Sequence, residues 1–249
     1  MLERLAGLES DPTAKRAVLG EAAKLAERLG DGDRALRAWG ARLAIDNADA
    51  EALDATVELL ARAGRWEPLI ETLEARAEVS ADERRRRDDL VRAARTWADA
   101  LERVDEAITA WVRVRDAFGE DAEVVDALAD LYTRAARWDD LLELLDRAAG
   151  AEAQPARRAT LLRRAGDVHR NRGDAGRALA AYREALDADP AEAGARAGLT
   201  APSRTPRRTT PPWPCSRAPT RPPTTGPTRS ASSTTGSRPP TTPTAAPTC

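Results

Sequence analysis

Apolar residues recur at intervals of three and four along most of this chain, and the runs break at short clusters of Gly, Asp and Asn. Residues 14–29 carry Ala17, Val18, Ala22, Leu25 and Leu29 at helical spacing, and Gly30-Asp31-Gly32-Asp33 then turns the chain. A second helix over 34–45 puts Leu36, Trp39 and Leu43 on one face. The alternation continues as 50–63 and 66–79, 83–102 and 105–117, 122–135 and 138–149, and 156–172 and 175–188. This predicts five helix pairs of about 34–38 residues each. No stretch alternates at the two-residue period of a strand, so no sheet is expected.

A shift of 72 residues lays the chain over itself, with residues 34–78 and 106–150 matching at 17 of 45 positions. Ala35, Ala38 and Trp39 recur as Ala107, Ala110 and Trp111. Arg62-Ala63-Gly64-Arg65-Trp66 recurs as Arg134-Ala135-Ala136-Arg137-Trp138. Such a period marks a stacked array in which each unit buries its apolar face against its neighbours. Trp39, Trp111 and Tyr182, at fixed offsets, read as core rings between helices. Trp66 and Trp138 read as structural residues at the start of a second helix.

The fifth pair carries Leu162, Gly166, His169, Gly173, Ala178, Tyr182, Ala185, Leu186 and Pro190. It resembles the tetratricopeptide repeat, a 34-residue helix–turn–helix. The first pair fits too, with Ala23, Gly30, Ala35 and Trp39 in the matching slots and Asn47 where the proline would stand. The pairs beginning near Ala50 and Ala122 depart from the pattern, with Leu69 and Leu141 where a small residue is usual. The resemblance covers residues 14–199. It implies an all-α, tetratricopeptide-like α-solenoid, a right-handed superhelix of about five helix–turn–helix pairs. In it Gly166 and Ala178 let two helices approach and Tyr182 fills the gap between pairs. Residues 1–13 read as an N-terminal remnant or partial repeat helix.

Composition divides the chain. The first 199 residues hold 32 Lys+Arg against 41 Asp+Glu, a net charge of −9. Residues 200–249 hold seven Arg, no acid and 13 Pro, with no Leu, Ile, Val or Phe. As written, that tail cannot bury enough surface to order itself, and it reads as disordered. It is open to three readings: an Arg/Pro-rich arm for nucleic acid, a mucin-like spacer, or an out-of-frame translation of further repeats. For the last, 220–226 (Thr-Arg-Pro-Pro-Thr-Thr-Gly), read from the third base of the preceding codon, permits Tyr-Glu-Ala-Ala-Asp-Asp-Trp. Residues 239–245 permit Ala-Asp-Asp-Pro-Asp-Arg, another phrase in the style of the repeats. Cys215 and Cys249 both lie in the tail, so no disulfide framework supports the array. No apolar run is long enough for a membrane span, and no signal peptide is read, so a bacterial cytoplasmic protein is expected.

Chemistry is sparse. His169 stands alone, in a slot where the repeat places an aromatic, so no catalytic residue, metal site or cofactor is expected. Gly30-Asp31-Gly32 lacks the lysine and spacing of a phosphate loop. Arg84-Arg85-Arg86-Arg87 is flanked by acids and reads as a solvated face. The resemblance implies that the first helix of each pair lines a concave groove for a peptide or partner helix. By alignment the groove positions are Glu51, Asp54 and Glu58; Asp89, Arg92 and Asp99; Glu123, Asp126 and Asp130; and Arg163, Asp167 and Arg170. The two acidic triplets recur at the 72-residue shift. Acids early in a helix also complement its dipole, which covers Glu51 and Glu123 but not Glu58 or Asp130. The groove reading implies a non-catalytic interaction scaffold with a basic or neutral protein or peptide partner, and it disfavours nucleic acid. Two readings stand beside it: a nucleic-acid-binding protein using the tail, and a fragment of a larger repeat-containing enzyme or signalling protein.

Overall fold

The computed structural model describes residues 6–200. The expected disordered tail, with Cys215 and Cys249, lies outside the described residues. After a helical turn at 6–8 come α1 (Pro12–Arg28), α2 (Gly32–Leu43), α3 (Ala50–Arg62), α4 (Trp66–Val79), α5 (Glu83–Asp99), α6 (Val104–Phe118), α7 (Ala122–Arg134), α8 (Trp138–Ala151), α9 (Pro155–Asn171), α10 (Ala175–Ala188) and α11 (Ala193–Thr200). All ten expected helices are present with bounds within three residues, and no strand occurs among the described residues. The eleventh, α11, is a helix after Pro190.

Helix lengths expose the reason for the 72-residue period. α1, α5 and α9 have 17 residues each, α3 and α7 have 13, and α4 and α8 have 14. The repeating body is therefore four helices, or two unlike pairs. α5 and α9 pack closely on both chain neighbours, whereas α3 and α7 pack more lightly on theirs.

Local chemistry sets the ends. Asp11, Asp49, Asp82 and Asp121 sit one residue before α1, α3, α5 and α7 and accept from free backbone N–H groups of the first turn. Each turn between the helices of a pair carries one residue with positive φ: Gly30, Gly64, Glu102, Ala136 and Gly173. Trp39, Trp111 and Tyr182 are 1%, 2% and 1% exposed, as core rings between helices should be. Gly166 is needed for closeness, since an added Cβ would meet the Tyr182 ring at 2.6 Å. Ala178 is buried beside it, and Trp66 and Trp138 are half-buried against the core. The first helix departs from its stripe: Leu25 and Leu29 are exposed.

Candidate functional site

The first helices of successive pairs stand side by side, and their charged residues meet. Lys24 on α1 reaches Glu51 on α3 at 2.8 Å. Asp54 on α3 takes Arg85 of α5, and Glu58 lies 4.0 Å from Arg92. On α7, Glu123 accepts from Arg95 and Arg87 of α5 at 2.6 and 2.7 Å. Asp126 accepts from Arg157 and Arg164 of α9 at 3.2 and 2.9 Å, and Asp130 from Arg164 at 3.1 Å. α1, α3, α5, α7 and α9 thus form one continuous wall, seamed by ion pairs between neighbouring repeats.

The pairing itself repeats. Asp54 precedes Arg85 by 31 residues, as Asp126 precedes Arg157. Glu58 precedes Arg92 by 34, as Asp130 precedes Arg164. The whole quartet recurs at the 72-residue shift. Sequence reasoning found the acids and missed that arginines one repeat later complete them. The signal was present as a fixed acid-to-Arg spacing close to one repeat length.

The two acidic triplets therefore occupy equivalent places on one wall, and they are in large part neutralised there. Lys24 and Arg42 hold the Glu51 carboxyl below the usual carboxylate range, with the Lys24 hydrogen bond the main cause. Glu58 and Asp130 keep most of their surface, at 66% and 77% side-chain exposure. The third-pair set divides. Asp99 is exposed on the wall, whereas Asp89 is buried and clamped by Arg76, which also donates to Asp54 at 2.8 Å. In the fifth pair Asp167 gathers Arg163 at 2.6 Å, Arg170 at 2.8 Å and the Tyr182 hydroxyl, which donates at 2.8 Å. Burial, then the Asp167 hydrogen bond, push the Tyr182 phenol up to about 12. That cluster ties a core ring to the wall.

The arginine run is not a solvated face. Arg85 reaches Asp54, Arg86 lies over the Phe118 ring, and Arg87 donates to Asp121 and Glu123. Three of its four cations clamp a neighbouring helix, because the flanking acids point elsewhere: Asp82 caps α5 and Asp89 takes Arg76.

Two clefts open along the wall between α5 and α7, one reaching the Trp66 ring and the other Trp111. Their basic residues are engaged: Arg87 and Arg95 with Glu123, Arg92 near Glu58, and Arg134 with the Ala98 carbonyl at 3.4 Å. Of their acids, Asp88 and Asp99 meet no partner among the described residues. His169 is half-buried, no His, Cys, Asp and Glu side chains converge as a metal site among the described residues, and no described helix is long and apolar enough to cross a membrane.

No protein-family model matches this chain, and no curated protein matches it. Solved structures do. The chain is similar to YrrB, described as a TPR protein with an unusual peptide-binding site, at 16% identity over 72% of this chain and 89% of YrrB, with a TM-score of 0.44. It is similar to MamA at 17% identity over 68% of this chain and 94% of MamA, with a TM-score of 0.43. Its similarity to TTC0263, a thermophilic TPR protein of Thermus thermophilus, is 18% over 74% of this chain and 96% of that one, with a TM-score of 0.38. The fold is a tetratricopeptide-like helical solenoid. Likenesses this distant carry no argument about the wall, whose chemistry rests on its own residues.

Proposed function

We propose that this array is a non-catalytic interaction scaffold that holds a basic or neutral peptide, or a partner helix, along the wall formed by α3, α5, α7 and α9. The observation that carries this reading is the charge balance in the clefts. Their cations face carboxylates or a carbonyl of the array, and the charges left without a partner among the described residues are carboxylates, Asp88 and Asp99. A cationic segment finds complementary free charge there, and a phosphate backbone finds repulsion from a body carrying −9 over its first 199 residues. The half-buried Trp66 ring at the cleft offers an apolar face beside those carboxylates.

The test reverses the free charges and leaves the clamping ones alone. Asp88→Lys/Asp99→Lys should weaken capture of a cationic peptide pool by about tenfold at low salt, with the difference shrinking as salt screens it. Asp54 and Asp126 are poor choices, since each holds two arginines of the seam. Equal affinity of the variant and the parent chain at low ionic strength would remove the reading.

A further inference from the structure

α11 follows α10 as α3 follows α2 and α7 follows α6, and it packs on both α9 and α10. It does the work of a repeat helix. A Cβ at Gly198 would meet the Tyr182 ring at 2.6 Å, so α11, like α9 at Gly166, packs directly on this ring. Ala195 is wholly buried, as are Ala52 at the start of α3 and Val124 at the start of α7. Within the array, α3 and α7 are covered in turn by a helix that begins at a tryptophan. Val57 and Leu60 share a cluster with Leu69 and Leu73 of α4, and Leu128 and Leu131 share one with Leu141 and Leu145 of α8. α11 has 8 described residues where α3 and α7 have 13, and beyond it the sequence contains no Leu, Ile, Val or Phe from which such a cover could be built.

We propose that the face left by α10 and α11 is a repeat interface, and that its occupant is the continuation of this same array, encoded in the neighbouring reading frame from about codon 200. The genetic code supports this at fixed points. Read one base early, each codon joins the third base of one residue to the first two of the next. Proline codons begin CC, cysteine codons begin TG, and tryptophan is TGG. Trp213-Pro214-Cys215 therefore becomes Leu, Met or Val, then Ala, then Leu, Met or Val again, whichever synonymous codons are used. A leucine-free segment acquires an apolar helical phrase. The wider composition follows the same rule: Asp and Ala codons GAC and GCC, read one base late, become ACN and CCN, which encode Thr and Pro whatever base follows. A Thr/Pro-rich tail is what an Asp/Ala-rich repeat becomes out of register, and 37 Arg against two Lys are consistent with a G/C-rich gene. With T-ending codons for Pro219 and Thr225, the shifted frame over 220–226 permits a Tyr and a Trp six residues apart, the spacing of Tyr132 and Trp138, with two alanines between them.

The experiment has two arms. Genomic DNA is sequenced across codons 190–250, and tryptic peptides of the native protein are identified by mass spectrometry. The expected result is a one-base difference near codon 200 and peptides in the shifted frame; an intact frame with a peptide spanning Trp213-Pro214-Cys215 overturns the proposal. The second arm compares the full chain in its present frame with the chain in the restored frame. Restoration should lengthen α11 and add at least one helix of the α8 kind, 14 residues there, seen as a rise in far-UV helical signal and in the melting midpoint. Equal helical signal in both chains overturns the proposal. So does a dimer of the present chain by light scattering that persists when the frame is restored, because the open face would then belong to a second copy.

Discussion

The two 72-residue halves carry the same quartet of charges on the wall but bury different chemistry beneath it. In the first half Arg42 and Arg16 close on the buried Asp49, and Arg76 closes on the buried Asp89. Shifted by 72, Arg42 becomes Val114, Arg76 becomes Ala148 and Asp89 becomes Leu161, all buried. The consequence is visible in the core. From Val91 onward nearly all buried apolar residues form one contiguous cluster, whereas those before it, joined by Ala93, fall into two smaller ones. One backbone plan thus accepts either an ion pair or a methyl-rich contact at the same place. The two halves keep the wall quartet while the layer below it differs.

The largest expected effect breaks one buried pair. Arg76→Ala leaves the Asp89 carboxylate buried without its clamp and should cost about 3–5 kcal/mol in urea unfolding. Copying the second half with Arg76→Ala/Asp89→Leu should restore most of that loss or exceed the parent chain by about 1 kcal/mol, since apolar replacement of a whole buried pair is often neutral or better. If the double variant is no more stable than the single one, the halves are not interchangeable at this layer.

A middle-sized effect is read by pH. Burial raises the Asp49 carboxyl, but the hydrogen bonds from Arg42, Arg16 and the Ala52 N–H outweigh burial and hold it at about 2, below its ordinary 3.8. A carboxyl depressed by folding adds stability that is complete above its unfolded value and is lost as pH falls through the folded one. Asp49→Asn, which keeps a capping oxygen for α3, should therefore be less stable by about 2 kcal/mol at pH 7, with the gap closing between about pH 4 and pH 2. A gap that stays constant with pH would show that the side chain's shape, not its charge, is what matters.

How far these features were legible in the sequence follows from their range. Helix positions were readable because the 3.6-residue stripe and the Gly/Asp turns are local, and Trp39, Trp111 and Tyr182 were readable as core because they recur at repeat offsets. What α11 covers was not, since Ala195, Gly198 and Leu199 are too few to make a stripe, and only the fold brings Gly198 against Tyr182. Asp89 was placed on the groove because the alignment counts positions along α5 and cannot see Arg76 approaching from α4. The Arg84–Arg87 run misled for a related reason: the near neighbours in sequence neutralise charge on paper, while Arg85 and Arg87 find their acids on α3 and α7.

The smallest effect sharpens the comparison at the turns. Gly64 and Ala136 are equivalent at the 72-residue shift and sit in the same left-handed conformation, with φ of +66° and +54°. Glycine takes that conformation freely, whereas a Cβ there presses on the following carbonyl, at a cost of about 1–2 kcal/mol. The space around Gly64 is not the obstacle, because an added Cβ would meet the Trp66 ring at an ordinary 3.8 Å. Ala136→Gly should therefore raise stability by about 0.5–1 kcal/mol, the conformational gain being reduced by the extra freedom glycine gives the unfolded chain. Gly64→Ala should lower it by a similar amount, and thermal unfolding of the two single variants and the exchanged pair measures both. If exchange at 64 and 136 gives equal and opposite shifts that cancel in the pair, the two turns are energetically equivalent sites. A shift at one turn only would mean that the bodies around Trp66 and Trp138 hold their turns with different force.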